Sequence, residues 1–465
     1  MKALLTDLDT AERSRCGLGH GFDVVIGREQ LQAGHACLGC FGCWVRSPGR
    51  CVIADGLEQM GALLGSAYEL WVVSRNVHGE YSPLVKRGMD RTLPYLHPCF
   101  RVLDGTAGRE LHHRMRYNGS ARSGGAGTRL VEKIWMYGAS TPAEQDCFLA
   151  TARTNQLNQD TDIRGVWFCD DARGCGDEDA TPNRWDASWG DATFPRGEAV
   201  RACWDVGADD VRMGRVTPHA PRRIALICAS PRGEESASLM LLDDLADALI
   251  AYDAASSVSG ADTPPELVRM RCTAAGKLTD ADELTACDAI VLGYPLYVDA
   301  LPSNLVWLLD QMEQGAAPRP APGTPVYAIS NLGFYEPEQI ETSFAALACW
   351  CRALDLAWQG GLAVGGGGMA PGLRDSPRMG GMRRAWSEAT DRLIAALRCG
   401  LTVTDAAGRF GGTPNELKAA RRGAILARCA IPRFAYRSVA EAGWHVGCRK
   451  AGTDLNAAPI YVPEA

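Results

Sequence analysis

Apolar positions along this chain fall into short continuous runs that alternate with longer stretches of helical spacing. That is the pattern of a parallel sheet whose strands are buried on both faces. Lys2 to Thr6 and Asp23 to Ile26 read as the first two strands. About fifteen residues separate them, too few for a full crossover helix and its loops. Ala54 to Ser66 has helical spacing, with Leu57, Met60, Leu63 and Leu64 on one face. Leu70 to Val73 reads as a buried strand that leaves through Ser74 to Pro83 into a helix reaching Asp90-Arg91. Leu130 to Tyr137 is another strand. Thr141-Pro142-Ala143-Glu144 then opens a helix with a capping-box pattern. Gly165 to Cys169 closes this first set.

From Asp170 to Pro221 the pattern dissolves into Asp, Gly, Pro and Arg, with Trp185, Trp189 and Trp204 interspersed. A connection that packs by its tryptophans is expected there, with one helix near Glu198 to Trp204. The alternation resumes at Arg223. Strands are expected at Ile224–Cys228, Ala289–Leu292 and Val326–Ser330, with helices at Leu239–Tyr252, Leu305–Met312 and Glu338–Leu354 and a glycine-dense strand end at Gly361–Gly368. The halves repeat. Tyr68-Glu-Leu-Trp-Val-Val with Ser82-Pro83 and Asp90-Arg91 mirrors Cys287-Asp-Ala-Ile-Val-Leu with Leu301-Pro302 and Asp310-Gln311. Such similarity points to a duplicated domain. The fold expected is α/β, two tandem doubly wound parallel sheets. One domain spans 1–170, a linker 171–222, a second domain 223–400, and a helical extension 401–465.

Charge and composition narrow the function classes. The 465 residues are 46% apolar and 22% charged, an ordinary globular balance, and a net charge of −7 argues against a nucleic-acid partner. No apolar run reaches the roughly eighteen residues of a membrane span. The N-terminus turns acidic at once, without a secretory apolar core. The 18 cysteines are therefore expected to be reduced thiols or metal ligands in a cytoplasmic protein.

Four of those cysteines, Cys37, Cys40, Cys43 and Cys51, stand in one short loop spaced C-x2-C-x2-C-x7-C, with Gly39, Gly42 and Gly49 between them. A thiolate cage this compact suits a [4Fe-4S] cluster. Zinc is the next candidate, and unliganded thiols the plainest one. Cys349-Trp-Cys351 lies on an apolar helical stretch, where i and i+2 face different ways, and reads as core. His112-His113 reads as a strand pair facing opposite sides.

A second constellation lies in the other half. Ser230-Pro231-Arg232-Gly233-Glu-Glu-Ser236-Ala-Ser238 sits between a strand and a helix, where backbone N–H groups and the helix dipole can hold a phosphate. A plain serine-capped turn is the alternative. The next strands exit through Pro295-Leu296-Tyr297-Val298 and Ser330-Asn331-Leu332-Gly333. Three successive strand ends would line one crevice at the carboxyl edge of the sheet.

These residues carry a resemblance. Ser230-Pro231-Arg232 with Ser236, Pro295-Leu296-Tyr297 with Pro302, and Gly360 to Gly368 resemble the NADPH-dependent FMN reductases of the flavodoxin-like group. The cysteine loop, with Gly79-Glu-Tyr-Ser82, Lys86 and Asp90-Arg91, resembles the iron–sulfur flavoproteins of the same group. The resemblance implies FMN held by phosphate, ribityl and ring loops. It also implies electrons arriving from NAD(P)H or a small electron-carrier protein and leaving to a small-molecule acceptor. It names no catalytic acid or base.

The first half departs from the family at Thr6-Asp7-Leu8-Asp9, where two carboxylates would repel a phosphate. The second half lacks a cysteine cage, keeping only Cys272 around Arg269 to Asp282. Each half keeps what the other lacks, so an intramolecular pseudo-dimer with the cysteine loop facing the flavin crevice is expected. A homo-oligomer stays open. Two other readings compete: a metal-free NAD(P)H:quinone or flavin reductase, and a non-enzymatic redox-sensing protein with a structural metal.

Overall fold

A computed structural model describes residues 1–105, 108–117, 129–177, 179–180, 185, 220–256 and 264–463. The chain divides into two compact units. Met1–Pro195 joins Phe434–Ala465 in one, and Arg196–Arg433 forms the other. The helix expected near Glu198 to Trp204 lies outside the described residues.

In the first unit β1 (Lys2–Thr6), β2 (Val24–Ile26) and β3 (Glu69–Val77) are followed by β4 (Glu80–Tyr81), β5 (Leu96–Gly105), β6 (Gly108–Met115), β7 (Leu130–Tyr137) and β8 (Thr161–Cys169). The main sheet runs β2-β1-β3-β7-β8, all parallel, with β4 folded back on β3. Counting only the parallel strands, this is the flavodoxin-like order 2-1-3-4-5. The strands are apolar because both faces are covered, and three neighbouring ones contribute Trp71, Trp135 and Trp167 to one cluster. Their ring centroids lie 4.5 and 4.6 Å apart.

The gap that seemed too short for a crossover holds a compact one. A six-residue helix, Thr10–Arg15, is opened by a capping box in which Asp9 accepts from the Glu12 N–H and Glu12 accepts from the Asp9 N–H. The helix expected over Ala54–Ser66 contracts to Met60–Ser66, because Asp55 is drawn away to Arg91. The antiparallel hairpin β5–β6 was not expected. Its strands carry Arg101, Asp104, Arg109, Glu110 and Arg114, which interrupt the apolar runs that mark the other strands, and β6 holds the expected strand pair His112-His113.

In the second unit β9 (Arg223–Cys228), β10 (Glu266–Arg271), β11 (Ala289–Pro295), β12 (Pro325–Asn331), β13 (Ala357–Val364) and β14 (Ala424–Ala427) form one parallel sheet ordered β10-β9-β11-β12-β13-β14. The same 2-1-3-4-5 order recurs, extended by one strand. The two units are thus flavodoxin-like α/β folds in tandem. Helices Ala237–Ser256, Ser303–Glu313 and Glu341–Ala353 connect the strands, and β11 and β12 are buried along their whole length. Residues expected to be only a helical tail are more than that. Ala424–Ala427 pairs with β13, while the helix Arg433–Ala451 belongs to the first unit from Phe434 onward.

The repeat extends to a matching turn. Val77 and Glu80 pair across His78-Gly79, with φ of 54° and 78°, just before the helix Pro83–Asp90. Tyr297 and Ala300 pair across Val298-Asp299, with φ of 45° and 59°, just before the helix Ser303–Glu313. Two consecutive left-handed residues make a type I′ turn in each unit. Among the described residues no helix is long and apolar enough to cross a membrane.

Candidate functional site

The strand order places two loops at the topological switch point of the second unit, since β9 and β11 are adjacent there and send their connections opposite ways. The loop after β9 is Ala229 to Ser236. Ser236 caps the following twenty-residue helix, its Oγ accepting from the Leu239 N–H at 3.1 Å. Ser238 donates to Asn331 Oδ1 at 2.7 Å, and the Leu296 N–H donates to the Asn331 carbonyl at 2.8 Å. Asn331, at the end of β12, therefore ties the first turn of the helix after the phosphate-type loop to the loop after β11. Asn304 adds a second tie, donating to the carbonyls of Ala229 and Thr273, each at 3.2 Å.

The loops proposed from the sequence thus share one rim, with differences in how their side chains sit. Ser230, Ser236 and Ser238 are buried, whereas Arg232 is exposed and its N–H approaches Ser230 Oγ at 3.4 Å. Leu296, Tyr297 and Val298 are half-buried. Ser330 is fully buried within the strand, Asn331 and Leu332 are buried at its end, and Gly333 is exposed. Glu234 and Glu235 also stand in the Arg232 loop, where sequence reasoning passed over them. Arg271 pairs with Glu234, and Arg374 donates to its carbonyl at 3.0 Å. The turn at Val298 is strained, because a β-branched residue rarely adopts positive φ. Thr342 holds it by donating to the Asp299 carbonyl at 3.0 Å. The glycine-dense end of β13 closes the rim, and a Cβ on Gly365 would lie 2.2 Å from the Tyr335 carbonyl oxygen.

In the first unit the equivalent place is filled by the chain's own carboxylates. Asp7 is buried, accepts from the Arg75 N–H and the Tyr137 hydroxyl, each at 3.0 Å, and also bonds Ser82. Burial raises its pKa despite those donors. Asp9 caps the helix beside it, and its carboxyl is held below the ordinary range chiefly by the Glu12 N–H. The Arg75 N–H, the Tyr137 hydroxyl and the Glu12 N–H at this edge are bonded to Asp7 and Asp9.

The cysteine loop is fastened at both ends by one side chain. Arg91, fully buried, donates to His35 O at 2.8 Å and Ile53 O at 3.0 Å, and grips both Asp55 oxygens at 2.8 Å. Arg87, one helical turn earlier, donates to Leu31 O and Gly34 O, each at 2.9 Å. The first unit's C-terminal segment covers the loop. Cys448 donates to Trp44 O at 3.2 Å, Thr453 donates to Val45 O at 2.5 Å, and Trp444 packs edge-on against Phe41 and Trp44. Gly49 is required there, since a Cβ would sit 2.3 Å from Pro459.

Within this frame Cys43 is buried, Cys37 and Cys51 are half-buried and Cys40 is exposed. Burial pushes the Cys37 thiol up to about 12. Burial, and then the charges of Cys37, Cys51 and Cys40, push Cys43 well above its ordinary value. The four thiols are therefore electrostatic neighbours. Yet among the described residues no three His, Cys, Asp or Glu side chains converge closely enough to hold a metal ion. The cage expected from the spacing is not assembled. The donor set is chemically suited to a soft metal, but its geometry is not preformed.

No protein-family model matches the chain, and no curated protein matches it. Among solved structures, the chain is similar to a flavodoxin, WrbA-like protein from Agrobacterium tumefaciens. The two are 13% identical over 30% of this chain and 76% of that one, with a TM-score of 0.23, a likeness too slight to carry an argument about chemistry.

Proposed function

We propose that the chain is an FMN-dependent oxidoreductase whose second unit holds the flavin at its carboxyl-edge rim. One observation carries this reading. The loops Ala229–Ser236 and Leu296–Pro302 leave the two strands that flank the switch point, and Asn331 and Asn304 bind them into one rim. Flavodoxin, which has this strand order, takes FMN at that place. The residues fit the group. The N-terminus of a twenty-residue helix, with Ser230, Ser236 and the exposed Arg232, is suited to its phosphate. Tyr297 and the strained Val298-Asp299 turn are suited to its ring.

Bound there, FMN supplies the conversion between hydride and single-electron transfer, with NAD(P)H or a small electron carrier as donor and a small molecule as acceptor. The chain's own residues bind and orient. Arg232 contributes charge, Thr342 holds the Asp299 carbonyl, and Asn331 fixes the spacing of two loops. The finer reading adds a [4Fe-4S] cluster on Cys37, Cys40, Cys43 and Cys51. Its support is the C-x2-C-x2-C-x7-C spacing and the mutual electrostatic reach of the thiols. The alternative is the metal-free reductase, in which the four thiols carry no cluster.

Titration of FMN against the purified chain, followed by loss of flavin fluorescence, tests the main reading. Saturable binding that weakens about tenfold in Arg232→Ala is expected, the worth of roughly one charge-assisted contact. Binding that is absent, or indifferent to Arg232→Ala and Ser236→Ala alike, overturns it. Iron and acid-labile sulfide on anaerobically purified protein decide separately between cluster and metal-free forms. A bound flavin that NADPH fails to bleach would favour the redox-sensing protein.

A further inference from the structure

Two of the described thiols outside the cysteine loop are joined by one tight turn. Cys169 ends β8, and Cys175 follows a single 3-10 turn, Ala172–Gly174, capped by Asp171 through the Arg173 N–H at 2.8 Å. The turn folds the chain back over Cys169, with the Cys175 thiol donating to the Asp171 carbonyl at 4.0 Å. Cys169 is half-buried and also reaches the Gly174 carbonyl at 3.3 Å. Cys175 is buried against the Trp71, Trp135 and Trp167 cluster. A cavity of about 340 Å³ opens beside it, lined by Lys2, Cys16, His20, Trp71, Cys175 and Asp177. A buried thiol facing a cavity, with a half-buried thiol six residues earlier reaching the carbonyl of the residue before it, is the arrangement of a dithiol that closes.

We propose that Cys169 and Cys175 form a reversible dithiol–disulfide couple that exchanges with low-molecular-weight disulfides. The Cys169 thiolate attacks one sulfur of R–S–S–R, forming a mixed disulfide and releasing one thiolate. Cys175, losing its proton, then attacks Cys169 Sγ, closing the intramolecular bridge and releasing the second thiolate. Two thiols of the chain lose two electrons and two protons, and the disulfide gains them as two RSH. The neighbouring Cys175 thiol lowers the Cys169 pKa and favours Cys169 as the attacking group. Cys16, near Cys175 on the same cavity, is a bystander in this scheme. The inference does not rest on the flavin reading.

Full-length reduced protein incubated with oxidised glutathione, unfolded in N-ethylmaleimide and mapped by peptide mass spectrometry tests the proposal. A bridge joining Cys169 to Cys175 is expected, reversed by dithiothreitol and retained in Cys16→Ser. In Cys169→Ser the bridge is lost. In Cys175→Ser oxidation halts with glutathione on Cys169. Both thiols fully alkylated after oxidation, with glutathione only on the exposed Cys40 and Cys399, overturns the proposal, as does a bridge from Cys175 to Cys16 in the parent protein. Near-ultraviolet circular dichroism of the variants, dominated by the tryptophan cluster, separates a lost reaction from a lost fold.

Discussion

Replacing Arg91 with Met removes the one guanidinium that closes the cysteine loop while keeping most of its apolar volume. The side chain is fully buried and makes four bonds, two to Asp55 and one each to the carbonyls of His35 and Ile53. Removing one member of a buried pair strands the other, at a cost of about 3–5 kcal/mol. Asp55 retains N–H donors from His35 at 2.7 Å and Leu57 at 3.2 Å, and it is partly exposed, so the lower half of that range applies. A loss of about 3 kcal/mol corresponds to roughly 10 °C in the melting temperature of a domain this size. Arg91→Lys recovers only part of it, because an ammonium cannot grip both carboxylate oxygens at once. Calorimetry reads the stability, and maleimide labelling of Cys37 and Cys51 in native buffer reads the loop, which should label at least tenfold faster. Asp55 adds a pH signature. Its folded pKa is depressed, with Arg91 the first of the lowering partners, so its contribution is present above the unfolded value of about 4 and lost as pH falls through the folded one. The variant should lose that acid dependence. If Arg91→Met melts within about 1 kcal/mol of the parent with unchanged labelling, the loop is not held from this residue.

Acid should unfold the first unit through its histidines. His78 and His97 are depressed to about 4 and His113 to about 3, burial being the largest cause for each. The unfolded chain therefore takes up protons first. Stability is intact above about 6.5 and falls below it, by about 2 kcal/mol per histidine at pH 5; a first-unit melting temperature that stays flat from pH 8 to 5 would contradict this. Val298→Gly relieves a left-handed β-branched residue and should melt within about 1 kcal/mol of the parent despite losing a side chain, whereas a loss above 2 kcal/mol by urea unfolding would show that the turn carries no strain. Gly365→Ala pushes a methyl toward the Tyr335 carbonyl and should cost about 1–3 kcal/mol by the same assay, and a neutral result would mean that the β13 end yields freely.

The sheet was legible where burial on both faces leaves an uninterrupted apolar run. β1 and β7 fall where the run predicts them, and β11 and β12 extend it by residues at their ends. The hairpin strands and the edge strands of the second sheet were not. β10 carries Glu266, Arg269 and Arg271, and β14 is four residues long, so neither raises an apolar signal. The six-residue helix after β1 was written in Asp9 and Glu12, a capping box three residues apart, but a length argument set it aside. For the site, the loops could be located because strand ends of a parallel sheet must share an edge. What holds them could not. Arg91, Asn304 and Asn331 act through backbone carbonyls and amides that only the tertiary fold brings within reach, and no local pattern marks a residue for that work.

The two repeats show how one backbone device can serve opposite chemistry. Each builds a type I′ turn before the helix that follows its third parallel position, so the turn belongs to the shared fold. What differs is the anion. In the first unit Asp7 places a carboxylate at the end of β1 and receives the Arg75 N–H, the Tyr137 hydroxyl and Ser82. In the second unit the chain supplies Ala229-Ser230 at the end of β9, with no carboxylate of its own at that step, and its hydroxyls are turned to capping the helix and to Asn331. A fold whose strand ends collect donors at one edge must satisfy them with something. In the first unit an incoming phosphate would have to displace a buried, hydrogen-bonded carboxylate and meet the charge of Asp9 as well. The second site carries its acidic pair later in the loop, where Arg271 neutralises Glu234. That difference in where the carboxylates stand is what directs the flavin reading to the second unit.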